Sequence, residues 1–267
     1  MHPDLTLPLF GAVFKSYTLF TVLGALVFAA SALPLLMRAG VKLFNALALL
    51  AVMAAAFLIG ARLWNVAVNP IAYGSALKWY SFRLAGFSLY GGVLGSALVL
   101  FAWARLGRRP LLPLLDAIVV PAALAFALAR VGCFLNGCCY GVFTDSVWGM
   151  EFPVKGGAQE TLNSLFPFIG ISIPASRYPT QLFELVLALL GLVPTLIFGR
   201  RLKDGSMFLL YGAWFSAMRL AILPLRSLPY DDIVTNAVYP ALYLTLTALG
   251  IAALVILNKK GVKPPSP

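Results

Sequence analysis

Seven stretches of this chain are too long and too uniformly apolar to lie in a water-soluble fold. They run approximately Tyr17–Met37, Leu43–Ala61, Gly86–Trp103, Leu111–Leu135, Gln181–Phe198, Ser206–Leu223 and Val238–Leu257. Each is near the roughly 20 residues that a helix needs to cross a bilayer, and each is too long for a strand. In hydrocarbon every backbone polar group must be satisfied internally, so such stretches become helices. The expected fold is therefore all-α: a single polytopic domain over residues 1–267, with seven transmembrane helices. The composition agrees, because 61% of the 267 residues are hydrophobic and only 11% are charged. That is too little charge to cover a soluble surface of this size.

The net charge of +11 does not point to nucleic acid, because no soluble face is available to carry the basic residues. It fits the charge bias of membrane loops instead. With the N-terminus outside, Arg38, Lys42, Arg105, Arg108, Arg109, Arg200, Arg201, Lys203, Lys259, Lys260 and Lys263 all fall in short inner segments. The positive-inside rule then places the C-terminus in the cytoplasm. Met1–Ser16 has neither a basic start nor a small-residue cleavage site, so the first span is read as retained. Two longer segments fall outside. Residues 62–85 carry Trp64, Tyr73, Trp79 and Tyr80, which suits an arm lying at the headgroup level. Residues 142–180 suggest a small external head inserted between the fourth and fifth spans.

One passage gathers the residues that apolar packing does not require. Arg130-Val-Gly-Cys-Phe-Leu-Asn-Gly-Cys-Cys-Tyr-Gly141 ends the fourth span with an arginine, three glycines, an asparagine and all three cysteines of the chain. An ionisable group within a span is a functional-site candidate by default. Asp116 is 14 positions before Arg130, roughly 21 Å along a helix, so it cannot be the partner. An anionic ligand is one candidate, and Glu184 at the outer start of the fifth span is another. In the sixth span Arg219 and Arg226 are seven apart on one helix face, with Pro224 expected to end or kink the helix between them. Arg226 reads as a side chain reaching the interface, whereas Arg219 lies more than a turn inside. Arginine forks match phosphate oxygens bidentately, so the natural guest of Arg130 and Arg219 is an anionic phospholipid headgroup. Gly91 and Gly95 make a small-xxx-small pair suited to helix packing. Tyr90 beside them needs a hydrogen-bond partner, and Tyr17 stands where an interfacial tyrosine would.

Three cysteines exclude a pure disulfide framework. Cys133 can bridge to Cys138 or Cys139 if the site is on the oxidising side, and one thiol can act as a nucleophile. The spacing is not that of a zinc finger. In an apolar pocket the thiols are inert, and packed structural cysteines are the favoured reading. No metal and no cofactor is expected.

Together these passages resemble the prolipoprotein diacylglyceryl transferase family. The resemblance rests on Tyr17 with Gly24, on Gly60-Ala-Arg62-Leu, and on Gly86-Phe-Ser-Leu-Tyr-Gly-Gly-Val-Leu-Gly95. It rests further on the passage from Arg130 to Gly141, on Tyr178-Pro-Thr-Gln-Leu-Phe-Glu184, and on Gly205, Arg219 and Arg226 in the sixth span. It implies a seven-span protein of the bacterial cytoplasmic (inner) membrane. Such a protein moves a diacylglyceryl group from phosphatidylglycerol to the lipobox cysteine of a prolipoprotein, whose signal peptide it must also hold. By that resemblance Arg130 and Arg219 form the phosphate clamp, Tyr90 and Tyr17 join the catalytic set, and Asn136 hydrogen-bonds the headgroup. Arg62, Gly91, Gly92, Gly137, Gly141, Gln181, Glu184 and Arg226 complete the substrate site. The chain departs from the family pattern at Tyr90 and Tyr178, where histidine is usual. It departs also at Leu223, where glutamate is usual, and at Cys133, where asparagine is usual. Two further readings are a phospholipid-binding or transporting relative without catalysis, and a lipid-group transferase with another acceptor.

Overall fold

The computed structural model describes residues 4–7, 12–70, 87–152, 176–228 and 230–259. Seven helices in it are long and apolar enough to cross a membrane. They are α1 (Ser16–Arg38), α2 (Leu43–Val68), α3 (Leu89–Leu106), α4 (Leu111–Leu135), α5 (Thr180–Phe198), α6 (Ser206–Ile222) and α7 (Tyr239–Asn258). The outward faces stay apolar. Leu26, Phe44, Leu58, Leu98 and Leu249 are all exposed, as expected where the surrounding medium is lipid.

Two pairings dominate the bundle, α1 against α4 and α2 against α3, with α5, α6 and α7 packed in sequence on the far side. Small residues set the close approaches. A Cβ on Gly91 would strike the Gly60 carbonyl and Trp64, and one on Gly95 would strike the Ala56 carbonyl. The small-xxx-small expectation for α3 is therefore met, and its partner is α2. Likewise Gly24 of α1 lies against the Ala125 backbone of α4, and Gly191 of α5 receives the Trp214 ring of α6.

The α5–α6 connection is organised by Asp116 of α4. Its carboxylate accepts hydrogen bonds from the Gly205 N–H at 2.7 Å and the Phe208 N–H at 2.9 Å. Those amides open α6, where an anion offsets the helix dipole. Gly205 has φ +92°, a left-handed conformation that glycine adopts freely. Asp116 thus has a structural employment at the opposite end of α4 from Arg130.

Several boundaries differ from the sequence reading. Helix α2 does not stop at Ala61. It continues to Val68, so residues 62–68 of the expected arm, Trp64 included, belong to a spanning helix. Residues 71–86, with Tyr73, Trp79, Tyr80 and Gly86, lie outside the described residues, as do residues 153–175 of the expected head and the tail after Lys259. What is described of the head is a short antiparallel ribbon, Met150–Glu151 with Ser176–Arg177. A second ribbon, Asp4–Leu7 with Ala12–Lys15, precedes α1 and was not expected from sequence. Pro224 does end α6: a 3-10 turn at Leu223–Leu225 follows.

Candidate functional site

Spanning helices alternate in direction, so the C-terminal ends of α2, α4 and α6 meet the N-terminal ends of α1, α3 and α5 on one side of the bundle. Arg130, near the end of α4, and Arg219, near the end of α6, converge there on Glu184, one turn into α5. Arg130 Nε lies 2.6 Å from Glu184 Oε2. Arg219 Nη1 and Arg226 Nη1 both donate to Glu184 Oε1. The Glu184 side chain is 1% exposed, against 12%, 8% and 12% for Arg130, Arg219 and Arg226, so all four charges are out of bulk water.

Of the two partners considered for Arg130, Glu184 is present, and it sits between Arg130 and Arg219. One expectation is corrected: Arg226 does not merely reach for an interface. It is drawn in by the chain after α4: Gly141 bridges to Arg226 as in a β-ladder, and the Val142 N–H donates to the Leu225 carbonyl at 3.0 Å. Arg226 lies beyond the end of its span. Burial and the neighbouring Arg219 push its pKa down, while Glu184 pulls it back up.

Three guanidinium groups share one carboxylate, so the cluster carries an excess of two positive charges. Buried charge without its complement is costly. Not every group is used: Arg219 Nε and the Tyr90 hydroxyl are buried donors, and Gln181 Oε1 a buried acceptor, without a partner at hydrogen-bond geometry. Aromatic rings wall the cluster. Arg130 Cζ stands 4.7 Å from the Phe126 ring centre, and Arg219 Cζ stands 6.0 Å from Tyr90 and 5.8 Å from Tyr243.

The remaining predicted residues divide into those at the cluster and those that build it. Tyr17, at the start of α1, has Arg130 and the three cysteines as its electrostatic neighbours. Gln181 donates from Nε2 to the Cys138 carbonyl at 2.6 Å, so its amide nitrogen braces the turn after α4, while its oxygen has no hydrogen-bond partner. Asn136 is the C-cap of α4, and Gly137 follows with φ +65°. Gly141 is packed against the Leu225 carbonyl, Thr180 and Tyr178, so it serves the tie to Arg226. Gly91 packs on α2 and Gly92 on the Phe57 ring. Both glycines let neighbouring helices approach closely. Arg62 is buried with its guanidinium 4.2 Å from the Phe87 ring centre.

Tyr243 and Thr180 were missed from sequence. Tyr243 accepts from Arg219 Nη2 at 3.4 Å, and Thr180 Oγ1 donates to the Cys139 carbonyl at 3.0 Å. Tyr243 carried the same signal as Tyr90, a polar tip within an apolar run. Leu223 is buried with Tyr90, Tyr239 and Tyr243.

The cysteines are unpaired: Cys133, Cys138 and Cys139 are all free thiols. Cys133 is buried at the end of α4, and the other two lie in the turn beyond it. The Cys139 thiol is held well below its ordinary range, chiefly by hydrogen bonding from Cys133 and Cys138 and further by Arg130 and Arg226.

The sequence model of the prolipoprotein diacylglyceryl transferase family matches residues 6–257, nearly the whole chain. The chain belongs to that family. Relatives named phosphatidylglycerol–prolipoprotein diacylglyceryl transferase include a Bifidobacterium adolescentis protein, 28% identical over 214 residues. That match covers 76% of this chain and 63% of the relative. A Dehalococcoides mccartyi protein of the same name is 31% identical over 166 residues, covering 62% of this chain and 59% of the relative. One from Tropheryma whipplei is 25% identical over 251 residues, covering 91% of this chain and 85% of the relative. The match thus spans about three fifths of the length of the first two. Family membership agrees with the seven-helix membrane architecture, and it covers every helix that contributes to the arginine cluster.

Proposed function

We propose that the chain binds an anionic phospholipid, phosphatidylglycerol, at the arginine cluster and transfers its diacylglyceryl group to the lipobox cysteine of a prolipoprotein. The observation that carries this is three buried arginines on one carboxylate, with Arg219 Nε left without a partner. A phosphodiester brings charge and acceptor oxygens together, and Arg130, Arg219 and Arg226 supply forks that suit it. The names of the relatives support phosphatidylglycerol and prolipoprotein as the two substrates. The apolar outer faces of the helices suit both substrates, since each arrives through the lipid phase.

In the reaction the thiol sulfur of the acceptor attacks the glyceryl carbon that bears the phosphate. A carbon–sulfur bond forms, the carbon–oxygen bond breaks, and glycerol phosphate leaves with the electron pair. The thiol proton goes to solvent. Charge grows on the departing phosphate, and preorganised cations stabilise it without reorganisation at the moment of reaction. Glu184 holds the three arginines in place rather than acting as a base, since three cations stabilise its charged form. Tyr90 and Tyr17 orient the headgroup. The acceptor thiol, with an ordinary pKa near 8.5, is already a few per cent ionised at neutral pH, so the step proceeds without a strong base.

The test is purified protein, phosphatidylglycerol and a peptide bearing a lipobox cysteine, read by mass. The expected result is a peptide heavier by one diacylglyceryl group. A second reading, lipid binding without transfer, is favoured by the apolar Leu223 at the cluster's edge. Phosphatidylglycerol bound with no modified peptide at any pH supports that reading instead.

A further inference from the structure

The mechanism above makes no use of the cysteines, yet their geometry is specific. The Sγ atoms of Cys133, Cys138 and Cys139 all lie within 4.8 Å of one another, and those of Cys138 and Cys139 are 3.9 Å apart. A metal ion in the plane of three sulfurs, about 2.3 Å from each, needs them roughly 4 Å apart. Among the described residues no fourth His, Cys, Asp or Glu joins the group.

The chain goes to some length to bring the thiols together. Cys133 is on the last turn of α4, and the turn that follows reverses at Gly137 and again at Cys139, whose φ of +62° is left-handed. A non-glycine residue rarely adopts that conformation, and it persists only where its surroundings impose it. Here they do. The Cys138 N–H donates to the Cys133 carbonyl at 3.1 Å. Gln181 donates to the Cys138 carbonyl at 2.6 Å and Thr180 to the Cys139 carbonyl at 3.0 Å. Two buried side chains of α5 therefore hold the carbonyls of both turn cysteines, so both thiols are turned back toward Cys133.

We propose that Cys133, Cys138 and Cys139 form a three-sulfur site for a soft monovalent metal ion of the Cu(I) type. Thiolates select Cu(I), Zn(II) and iron–sulfur clusters from the common metals. Structural zinc takes four ligands, whereas Cu(I) is satisfied by three. Charge supports the same choice. A monovalent ion leaves the three thiolates with residual negative charge, and Arg130 Nη1 stands 3.9 Å from Cys133 Sγ to offset part of it. This site stands independently of the transfer reaction.

The test uses the full-length protein in detergent, purified anaerobically with reductant and then freed of it, and titrated with Cu(I) held by a chromophoric chelator. One equivalent should leave the chelator per chain, with sulfur-to-copper charge-transfer absorption in the ultraviolet, and X-ray absorption should find three sulfur neighbours. Each of Cys133→Ser, Cys138→Ser and Cys139→Ser should lose the stoichiometric equivalent. Copper loading of the unmodified protein should also protect all three thiols from iodoacetamide, a readout that needs no variant. Copper left on the chelator, or equal binding by the triple serine variant, would overturn the proposal.

Discussion

Arg226 hydrogen-bonds Glu184 across 42 residues of chain, on the same carboxylate oxygen that Arg219 uses. Two arginines on one oxygen, with Arg130 on the other, make Glu184 the fixed point of the site. Without it, three buried cations would face each other with nothing between.

Glu184→Gln should therefore destabilise the protein. Removing one partner of a buried ion pair costs about 3–5 kcal/mol, because the remaining charge is left uncompensated. Denaturant unfolding in micelles reads the change. Unfolding at the same midpoint as the unmodified protein would mean that the three arginines find their compensation elsewhere.

The acceptor thiol sets the pH dependence of transfer in this account. No base stronger than the acceptor thiol itself is needed in this account, and the thiolate is the reactive form. Transfer to a cysteine peptide should then rise as pH approaches the acceptor's ordinary pKa, near 8.5, and level off above it. General base catalysis contributes typically 10²–10⁴-fold, so combining Tyr90→His with Leu223→Glu should accelerate the reaction at neutral pH and flatten its pH profile. Leu223 is buried among tyrosines beside Arg219, which gives an introduced carboxylate a cationic neighbour. An unchanged profile in the double variant would remove proton transfer from the rate-limiting step.

The side of the membrane is a separate matter. The short basic segments imply that the arginine cluster is at the outer end of the bundle and the C-terminus inside. A reporter fused after Lys263 should work in the cytoplasm. Activity of a reporter that functions only outside would reverse the assignment of both ends.

The spans were legible because bilayer thickness fixes their length, and six of the seven fall within three residues of their expected bounds. The exception is α2. Arg62 and Asn65 break its apolar pattern, yet both are buried, because they turn toward the bundle rather than the lipid. Hydropathy alone cannot tell a polar residue that ends a span from one that faces inward. The same limit hid Arg226. After Pro224 it looks like an interfacial residue, and only the bridge from Gly141 brings it inward. Glu184 was visible as a partner for Arg130, but its sharing among three arginines depends on how α4, α5 and α6 meet. The closeness of the thiols depends on the left-handed turn at Gly137 and Cys139, which residue type does not announce at a cysteine.

The central claim is that the arginine cluster holds a phospholipid phosphate through guanidinium forks. Native mass spectrometry of the protein with phosphatidylglycerol tests it most directly, comparing the unmodified chain with Arg130→Lys. Lysine keeps the charge and loses the fork. The account predicts that phosphatidylglycerol is retained by the unmodified protein and lost from Arg130→Lys nearly as completely as from Arg130→Ala. Equal retention by Arg130→Lys and the unmodified protein would contradict it.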